Sequence, residues 1–122
     1  MMDPVVFKTL RQESEWEGPF IDPKLHAVVI EFAKEAYGKY GWIPTITDAL
    51  RTREEDVAVS GSGIHTTGRA VDVRVRGVKK DIVKSMVGWT NARWVYDAKR
   101  PDLLVAYDKP HGTGPHVHFQ VC

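Results

Sequence analysis

Two segments of the chain alternate apolar and polar residues, and this pattern constrains the fold more than any other feature of the sequence. In residues 69–75 the alternating apolar positions are Val71, Val73 and Val75, and in residues 116–121 they are Val117, Phe119 and Val121. The polar residues between them in the second segment are His116, His118 and Gln120. Successive side chains of a β-strand point to opposite faces of its sheet. The alternation therefore predicts two strands, each with one face in the core and one polar face.

The polar faces of these two strands carry residues with metal-binding chemistry. Asp72 lies on the first strand, and His116 and His118 lie on the second. If the strands are neighbours, these side chains gather on one face, because residues i and i+2 of a strand are only about 6.6–6.8 Å apart. His65 precedes the first strand and can reach the same space, since Gly68 leaves the backbone free to turn. Three imidazoles and a carboxylate suit zinc, and a site that uses three of these four groups keeps one coordination position open, as in catalytic sites.

Helical spacing and shorter strand-like segments complete the expected fold. Asp22 and Pro23 are typical of an N-cap and a first helical residue, and the apolar spacing that follows predicts a helix over residues 23–38. A second helix is predicted over residues 78–91. Further strands are predicted at residues 42–48, 94–96 and 103–107. The order predicts an α+β fold with a small antiparallel sheet, which has helices packed on one face and a zinc site on the other.

Length and composition predict one soluble domain. The chain has 122 residues, which we expect to form a single domain with an irregular segment at 1–22 and a core at 23–121. A formal net charge of +1 gives no reason to expect a nucleic-acid partner. The single cysteine, Cys122, excludes an internal disulfide framework and fits a reducing compartment. With neither a signal-peptide pattern nor an apolar window that could span a membrane, we expect a monomer made in the cytoplasm without a membrane partner.

Three motifs resemble those of a known enzyme family. The family pattern S-x-H-x-x-G-x-A-x-D matches the sequence at His65, Gly68, Ala70 and Asp72. A C-terminal strand histidine matches within Pro-His116-Val-His118, and Arg51 in Asp-Ala-Leu-Arg-Thr is similar to a family arginine in S-G-Y-R-S. On these residues the chain resembles the zinc D-Ala-D-Ala carboxypeptidases and L-alanyl-D-glutamate endopeptidases that cut peptidoglycan peptides, including many phage endolysins. The hedgehog amino-terminal domain and lysostaphin-type peptidases share the same core. The resemblance runs from about residue 25 to residue 121.

The resemblance implies a zinc ion held by His65, Asp72 and His118. Zinc in such a site polarises the scissile carbonyl and activates a water molecule. The resemblance also implies that Arg51 stabilises the oxyanion of the tetrahedral intermediate. The alternative for Arg51 is a structural ion pair with an acidic residue of 54–56.

The chain departs from the family pattern in two places. Many members carry a carboxylate, the general base, three residues before the last zinc histidine, and here that position is Pro115. His116 is the natural substitute as general base, since histidine suits proton transfer at ordinary pH, and His111 and Asp108 are further candidates. The second departure is Gly63, where the pattern has a serine that binds substrate in the carboxypeptidases. The choice between carboxypeptidase and endopeptidase therefore stays open.

The expected function is hydrolysis by a zinc metallopeptidase. Its substrate would be a peptidoglycan stem peptide or a small D-amino-acid peptide. The resemblance favours a phage or prophage endolysin that degrades the cell wall after release, with a bacterial cytoplasmic peptidase as the close alternative. A different class is a non-catalytic zinc-containing binding module of the hedgehog type, which the absent carboxylate at Pro115 favours. The remaining alternative is an α+β domain whose histidines have no special role.

Overall fold

The computed structural model of the chain describes residues 5–49, 67–109 and 115–122, and within them it forms an α+β domain with one sheet. The elements in chain order are β1 (Val6–Phe7), α1 (Leu10–Glu17), α2 (Pro23–Tyr40), β2 (Thr45–Asp48), β3 (Ala70–Arg74), α3 (Lys80–Arg93), β4 (Ala106–Lys109) and β5 (His116–Gln120). The five strands lie side by side in the order β1-β2-β3-β5-β4. The expected α+β class is confirmed.

The sheet is mixed, so the prediction of a wholly antiparallel sheet is wrong at one edge. The pairs β2–β3, β3–β5 and β4–β5 are antiparallel, whereas β1 and β2 run parallel. A parallel pair needs a long connection that brings the chain back to the same end of the sheet, and α1 and α2 supply it. A strand of two residues is also too short for alternation to be visible in the sequence.

The N-terminal segment, predicted to be irregular over residues 1–22, contains both β1 and α1. Thr9 caps α1, because its hydroxyl accepts a hydrogen bond from the backbone N–H of Arg11 at 3.2 Å. Trp16 is the buried residue of this short helix, and its ring stacks on His26 with the ring centroids 4.4 Å apart. Because Trp16 is the one residue of α1 that is buried, the segment lacks the repeated apolar spacing from which a helix could be predicted.

Helix α2 begins as predicted and ends two residues later than predicted. The Asp22 side chain accepts a hydrogen bond from the Lys24 N–H at 2.8 Å, and Pro23 takes the first helical position. Gly41 ends the helix in a left-handed conformation with φ 68°, whereas Gly38 stays within it. The buried face of α2 consists of Leu25, Val28, Val29, Phe32, Ala33 and Ala36. Phe32 packs edge-on against Phe119 of β5, with the ring centroids 4.8 Å apart, so α2 covers the apolar face of the sheet.

The strand predicted at residues 94–96 is absent from the described structure, and the one predicted at 103–107 begins later. Helix α3 continues to Arg93, and Trp94 still donates its N–H to the Thr90 carbonyl at 3.0 Å. Before β4 begins, the Val105 N–H bonds to the side chain of Asn91 on α3 at 3.2 Å. The Asn91 side chain thus takes the hydrogen bond of a backbone N–H that strand pairing would otherwise use.

The alternation in β3 and β5 places the apolar side chains in the core, as predicted. The fully buried members are Val71, Val73, Val117, Phe119 and Val121. Asp72 is also buried, at 6% exposure, so the polar face of β3 is covered as well. Among the described residues, no helix combines the length and the hydrophobicity needed to cross a membrane.

Candidate metal centre

The pairing of β3 with β5 brings Asp72 directly opposite His118. The two strands are antiparallel neighbours, and the same register sets Arg74 opposite His116. Because side chains of paired residues project from the same face, the carboxylate and both imidazoles share one side of the sheet. The condition on which the shared polar face depended, that the two alternating segments are neighbouring strands, is met.

Both imidazoles converge on the Asp72 carboxylate. Nδ1 of His118 lies 3.0 Å from Oδ1, and Nε2 of His116 lies 3.8 Å from Oδ2. The carboxylate side chain is only 9% exposed, against 19% for His116 and 14% for His118. A carboxylate this deeply buried requires hydrogen bonds or positive charge around it, and the two imidazoles are positioned to supply them.

A chain of hydrogen bonds from Gln120 favours the tautomer of His118 that carries its proton on Nε2. The Gln120 amide nitrogen donates to the Leu104 carbonyl at 3.1 Å, so the amide oxygen is the atom that faces His118. That oxygen lies 3.2 Å from Nε2 of His118, so it can accept a hydrogen from this nitrogen. In the neutral tautomer with its proton on Nε2, Nδ1 presents a lone pair to Asp72.

The imidazole and carboxylate atoms around Asp72 are of the types that zinc binds in proteins. A lone pair on Nδ1 and a carboxylate oxygen 3.0 Å away repel each other unless a proton or a metal cation lies between them. Ligand atoms of tetrahedral zinc, with bonds of about 2.0–2.2 Å, stand about 3.3–3.6 Å apart. Nδ1 of His118 and Oδ1 of Asp72, at 3.0 Å, are closer than that range, so these two atoms would have to move apart slightly around the ion. The donation from Nε2 to Gln120 is also the outer contact that metal-binding histidines usually make.

Only part of the predicted site lies within the described residues. The predicted ligand His65, the predicted catalytic residue Arg51 and the alternative base His111 all lie outside them. Across residues 5–49, 67–109 and 115–122, no group of three or more histidine, cysteine, aspartate or glutamate side chains has the arrangement of a metal site. The structure thus brings together two of the three predicted ligands, Asp72 and His118, and adds His116 beside them.

The alternative base Asp108 is on the wrong side of the sheet. In the antiparallel register Asp108 of β4 pairs with Val117, whereas Lys109 pairs with His116 and Tyr107 with His118. Asp108 therefore projects to the face of Val117, away from the two histidines. This excludes it from proton transfer at the site.

Gly68 attaches the segment before β3 to the start of α2. Its φ of +72° is a conformation that residues with a Cβ rarely adopt. A Cβ at this position would lie 1.7 Å from the carbonyl oxygen of Phe20, and the Gly68 carbonyl accepts the Asp22 N–H at 2.9 Å. The expectation that this glycine serves a backbone turn is confirmed, and close approach to Phe20 is a second reason for it.

A cavity of about 190 Å³ opens beside the carboxylate and His116. The described residues that line it are Lys8, Thr47, Asp48, Asp72, Arg74, Arg76, Pro115 and His116. Sequence reasoning did not assign roles to Gln120, Asp48 or the three cations. Gln120 was detectable, because it alternates in step with the two histidines. Lys8 and Asp48 were not, since strand pairing alone brings them here.

Comparison with known proteins identifies no relative of the chain. No family model matches it, and no curated protein or solved structure matches it. The functional interpretation therefore depends on the side chains of the site and on the motifs in the sequence.

Proposed function

We propose that the protein is a zinc-dependent peptidase that hydrolyses an amide bond in peptidoglycan stem peptides or in small D-amino-acid peptides. The observation that carries the metal site is the Asp72 carboxylate between two imidazoles, with Nδ1 of His118 at 3.0 Å and Nε2 of His116 at 3.8 Å. The sequence motif around His65 and the resemblance to peptidoglycan peptidases supply the third ligand and the substrate class.

His65, Asp72 and His118 are the residues that would hold the ion. Two neutral imidazoles and one carboxylate leave zinc with net positive charge and with a coordination position for water or substrate. Zinc bound in this way polarises a carbonyl group and lowers the pKa of its water to about 7. Gln120 supports this arrangement by holding the His118 ring so that Nδ1 faces Asp72.

His116 is the residue that we propose to move the proton. Of the two strand histidines, His116 is the one on the cavity wall, and its side chain is 19% exposed. From there it can accept a proton from water in the cavity and return it to the leaving amine, a role for which imidazole is well suited at ordinary pH. Pro115 occupies the position of the usual carboxylate and cannot do so.

Arg51 is the proposed oxyanion-stabilising residue. A fixed guanidinium near the developing negative charge lowers the barrier most when the site excludes water. This role comes from the sequence motif, and the residue lies outside the described ranges.

A second candidate function is a zinc-containing binding module without hydrolytic activity. The observation that favours it is Pro115, which lies on the cavity wall next to His116 and offers no group for proton transfer. Under this alternative the same ligands hold zinc, and the metal only stabilises the fold and shapes a binding surface.

The experiment that separates these functions measures zinc content and new amino termini together. Purified protein is incubated with muropeptides, with and without a chelator, and released amino groups are identified by mass spectrometry. The peptidase proposal expects one zinc per chain and chelator-sensitive release. A His26→Gln variant is the matched control, since this histidine stacks on Trp16 and does not line the cavity. Stoichiometric zinc without release would favour the binding module, and protein without zinc would contradict both functions.

A further inference from the structure

We propose that the cavity beside His116 binds a carboxylate group of the ligand, and that Arg74, Arg76 and Lys8 hold it. The proposal rests on the proposed function for the identity of that ligand, a peptide cut at the neighbouring metal centre. It assigns the recognition of a carboxylate close to the scissile amide to these three side chains. Both a free C-terminus and the side chain of an acidic residue supply this chemistry.

The first support is the convergence of three cations on one small space. Lys8 follows β1, Arg74 ends β3, and Arg76 lies in the turn after it, yet all three line the same cavity of about 190 Å³. A water molecule occupies about 30 Å³ of the liquid, so this volume has room for a carboxylate and the atoms attached to it.

The second support is that these three cations have no ion-pair partner within the part of the chain that the structure describes. The acidic residues on the wall are Asp48 and Asp72, and both are already engaged, Asp72 by the two imidazoles. Three neighbouring positive charges repel one another, and an anion among them removes that repulsion.

The third support is the position of the cations in the sheet. One cross-strand row consists of Thr45, Arg74, His116 and Lys109. The next row consists of Asp48, Asp72, His118 and Tyr107. Arg74 is thus two residues along β3 from Asp72, a distance of about 6.6–6.8 Å along the strand. A carboxylate held by Arg74 and an amide at the metal centre would belong to adjacent parts of one ligand.

The arginines are also chemically suited and reachable. A guanidinium can bind a carboxylate through two parallel hydrogen bonds, which fixes its orientation as well as its charge. Arg74 and Arg76 line a second, larger cavity of about 490 Å³ beside Trp42 and Ile43. A ligand whose carboxylate lies between the arginines therefore has space for its remaining atoms.

Binding of matched peptides to the full chain tests the proposal, with chelator present so that no turnover occurs. The probes are N-acetyl-D-alanyl-D-alanine, its C-terminal amide, and an N-acetylated L-alanyl-D-glutamate peptide whose C-terminus is amidated. We expect at least one acidic probe to bind about tenfold more tightly than the amide, and the acidic probe that does so identifies the carboxylate as terminal or internal.

The variants Arg74→Ala and Arg76→Ala should each reduce that preference to about twofold or less, because each removes a charge-assisted hydrogen bond. Arg76 lies in an exposed turn, so its variant keeps the proposal testable even if Arg74→Ala impairs folding. Arg100→Ala, which removes an exposed arginine paired with Asp102, should leave the preference unchanged.

Equal binding of all three probes, or a preference that survives both cavity variants, would overturn the anion site. Hydrolysis is measured separately on zinc-loaded protein. A carboxylate preference that depends on Arg74 and Arg76 without any hydrolysis would leave the anion site standing and remove the peptidase function.

Discussion

Asp72 of β3 and His118 of β5 are direct cross-strand partners, and Oδ1 of the carboxylate lies 3.0 Å from Nδ1 of the imidazole. The register of β3 against β5 is what places these two residues opposite each other. A shift of one residue between the strands would turn either side chain to the opposite face and expose the valines of β3. The packing that holds Val71 and Val73 in the core therefore also holds together the two side chains that we propose to bind zinc.

Gln120→Ala should weaken zinc binding without removing a ligand. The substitution deletes the acceptor for the Nε2 hydrogen of His118, so the ring loses both its fixed tautomer and its orientation. Loss of such an outer contact typically costs about 10–100-fold in metal affinity. Competition with a chromophoric chelator measures the change. Gln12→Ala, in the first turn of α1 and outside the cavity lining, is the control and should bind zinc as the parent does. Parent-like affinity in Gln120→Ala would contradict the orienting role.

His116→Ala should separate turnover from metal binding. If His116 carries the proton, its loss lowers turnover by about 10²–10⁴-fold, while His65, Asp72 and His118 still hold zinc. Metal analysis and the rate of muropeptide cleavage check the two effects on the same preparation. Turnover that persists would transfer the role to His111, because the sheet register already excludes Asp108.

Gly68→Ala should destabilise the fold more than the same change at another glycine with positive φ. A Cβ at Gly68 meets the Phe20 carbonyl oxygen at 1.7 Å, whereas one at Gly77, φ +82°, meets no atom within 4 Å. Gly77→Ala should lower the free energy of unfolding by about 1–2 kcal/mol, because it introduces backbone strain alone. Any larger loss in Gly68→Ala measures the steric clash with Phe20.

Gly88→Ala completes the comparison, because this exposed glycine lies inside α3 with open space around it. The alanine should raise the free energy of unfolding by about 0.8–1.0 kcal/mol through its higher helix propensity. Urea unfolding of the three variants gives the order directly. If Gly68→Ala were no less stable than Gly77→Ala, the close approach to Phe20 would be contradicted.

The ion pair between Glu31 of α2 and Arg93 of α3 predicts a small dependence of stability on acidic pH. The hydrogen bond from Arg93 is the main cause that lowers the pKa of the Glu31 carboxyl from its ordinary 4.5. Because the pKa is lower in the folded state, the stabilisation is fully present above the ordinary value and is lost as the pH falls through the folded value. Both side chains are partly exposed, so the effect is modest.

Melting temperatures of the parent and of Glu31→Gln between pH 7 and pH 3 measure this contribution. The difference between the two proteins should be constant at neutral pH and should shrink toward zero below pH 4.5. A Glu31→Gln difference that stays constant down to pH 3 would exclude the ion pair as its source.

The two alternating segments predicted the site-bearing part of the fold, because alternation is a local property that directly sets which side chains face the core. Val117 and Phe119 are buried, and His116 and His118 share the opposite face, as the spacing indicated. Strand β1 was missed because its two residues form a strand only by pairing with β2. The segment at 94–96 was taken for a strand because aromatic and β-branched residues favour strands locally, but no strand partner lies beside it in the described structure.

The residues of the candidate site also differ in whether the sequence could predict them. Asp72 and His118 were predicted as ligands from their motifs, and the structure brings them into contact. The cations of the cavity depend on contacts between distant elements, since Lys8 reaches the site through β1 and β2. No local pattern encodes such proximity, so only the folded chain could reveal it.

Zinc analysis of the parent and of His118→Ala is the most direct test of the metal centre. Both proteins are purified without added metal, dialysed against zinc and then against buffer, and analysed for metal per chain. The account predicts one zinc per parent chain and its loss in His118→Ala, with the Gln12→Ala control unchanged. Parent protein without bound zinc, or a His118→Ala variant that retains it in full, would contradict the central claim.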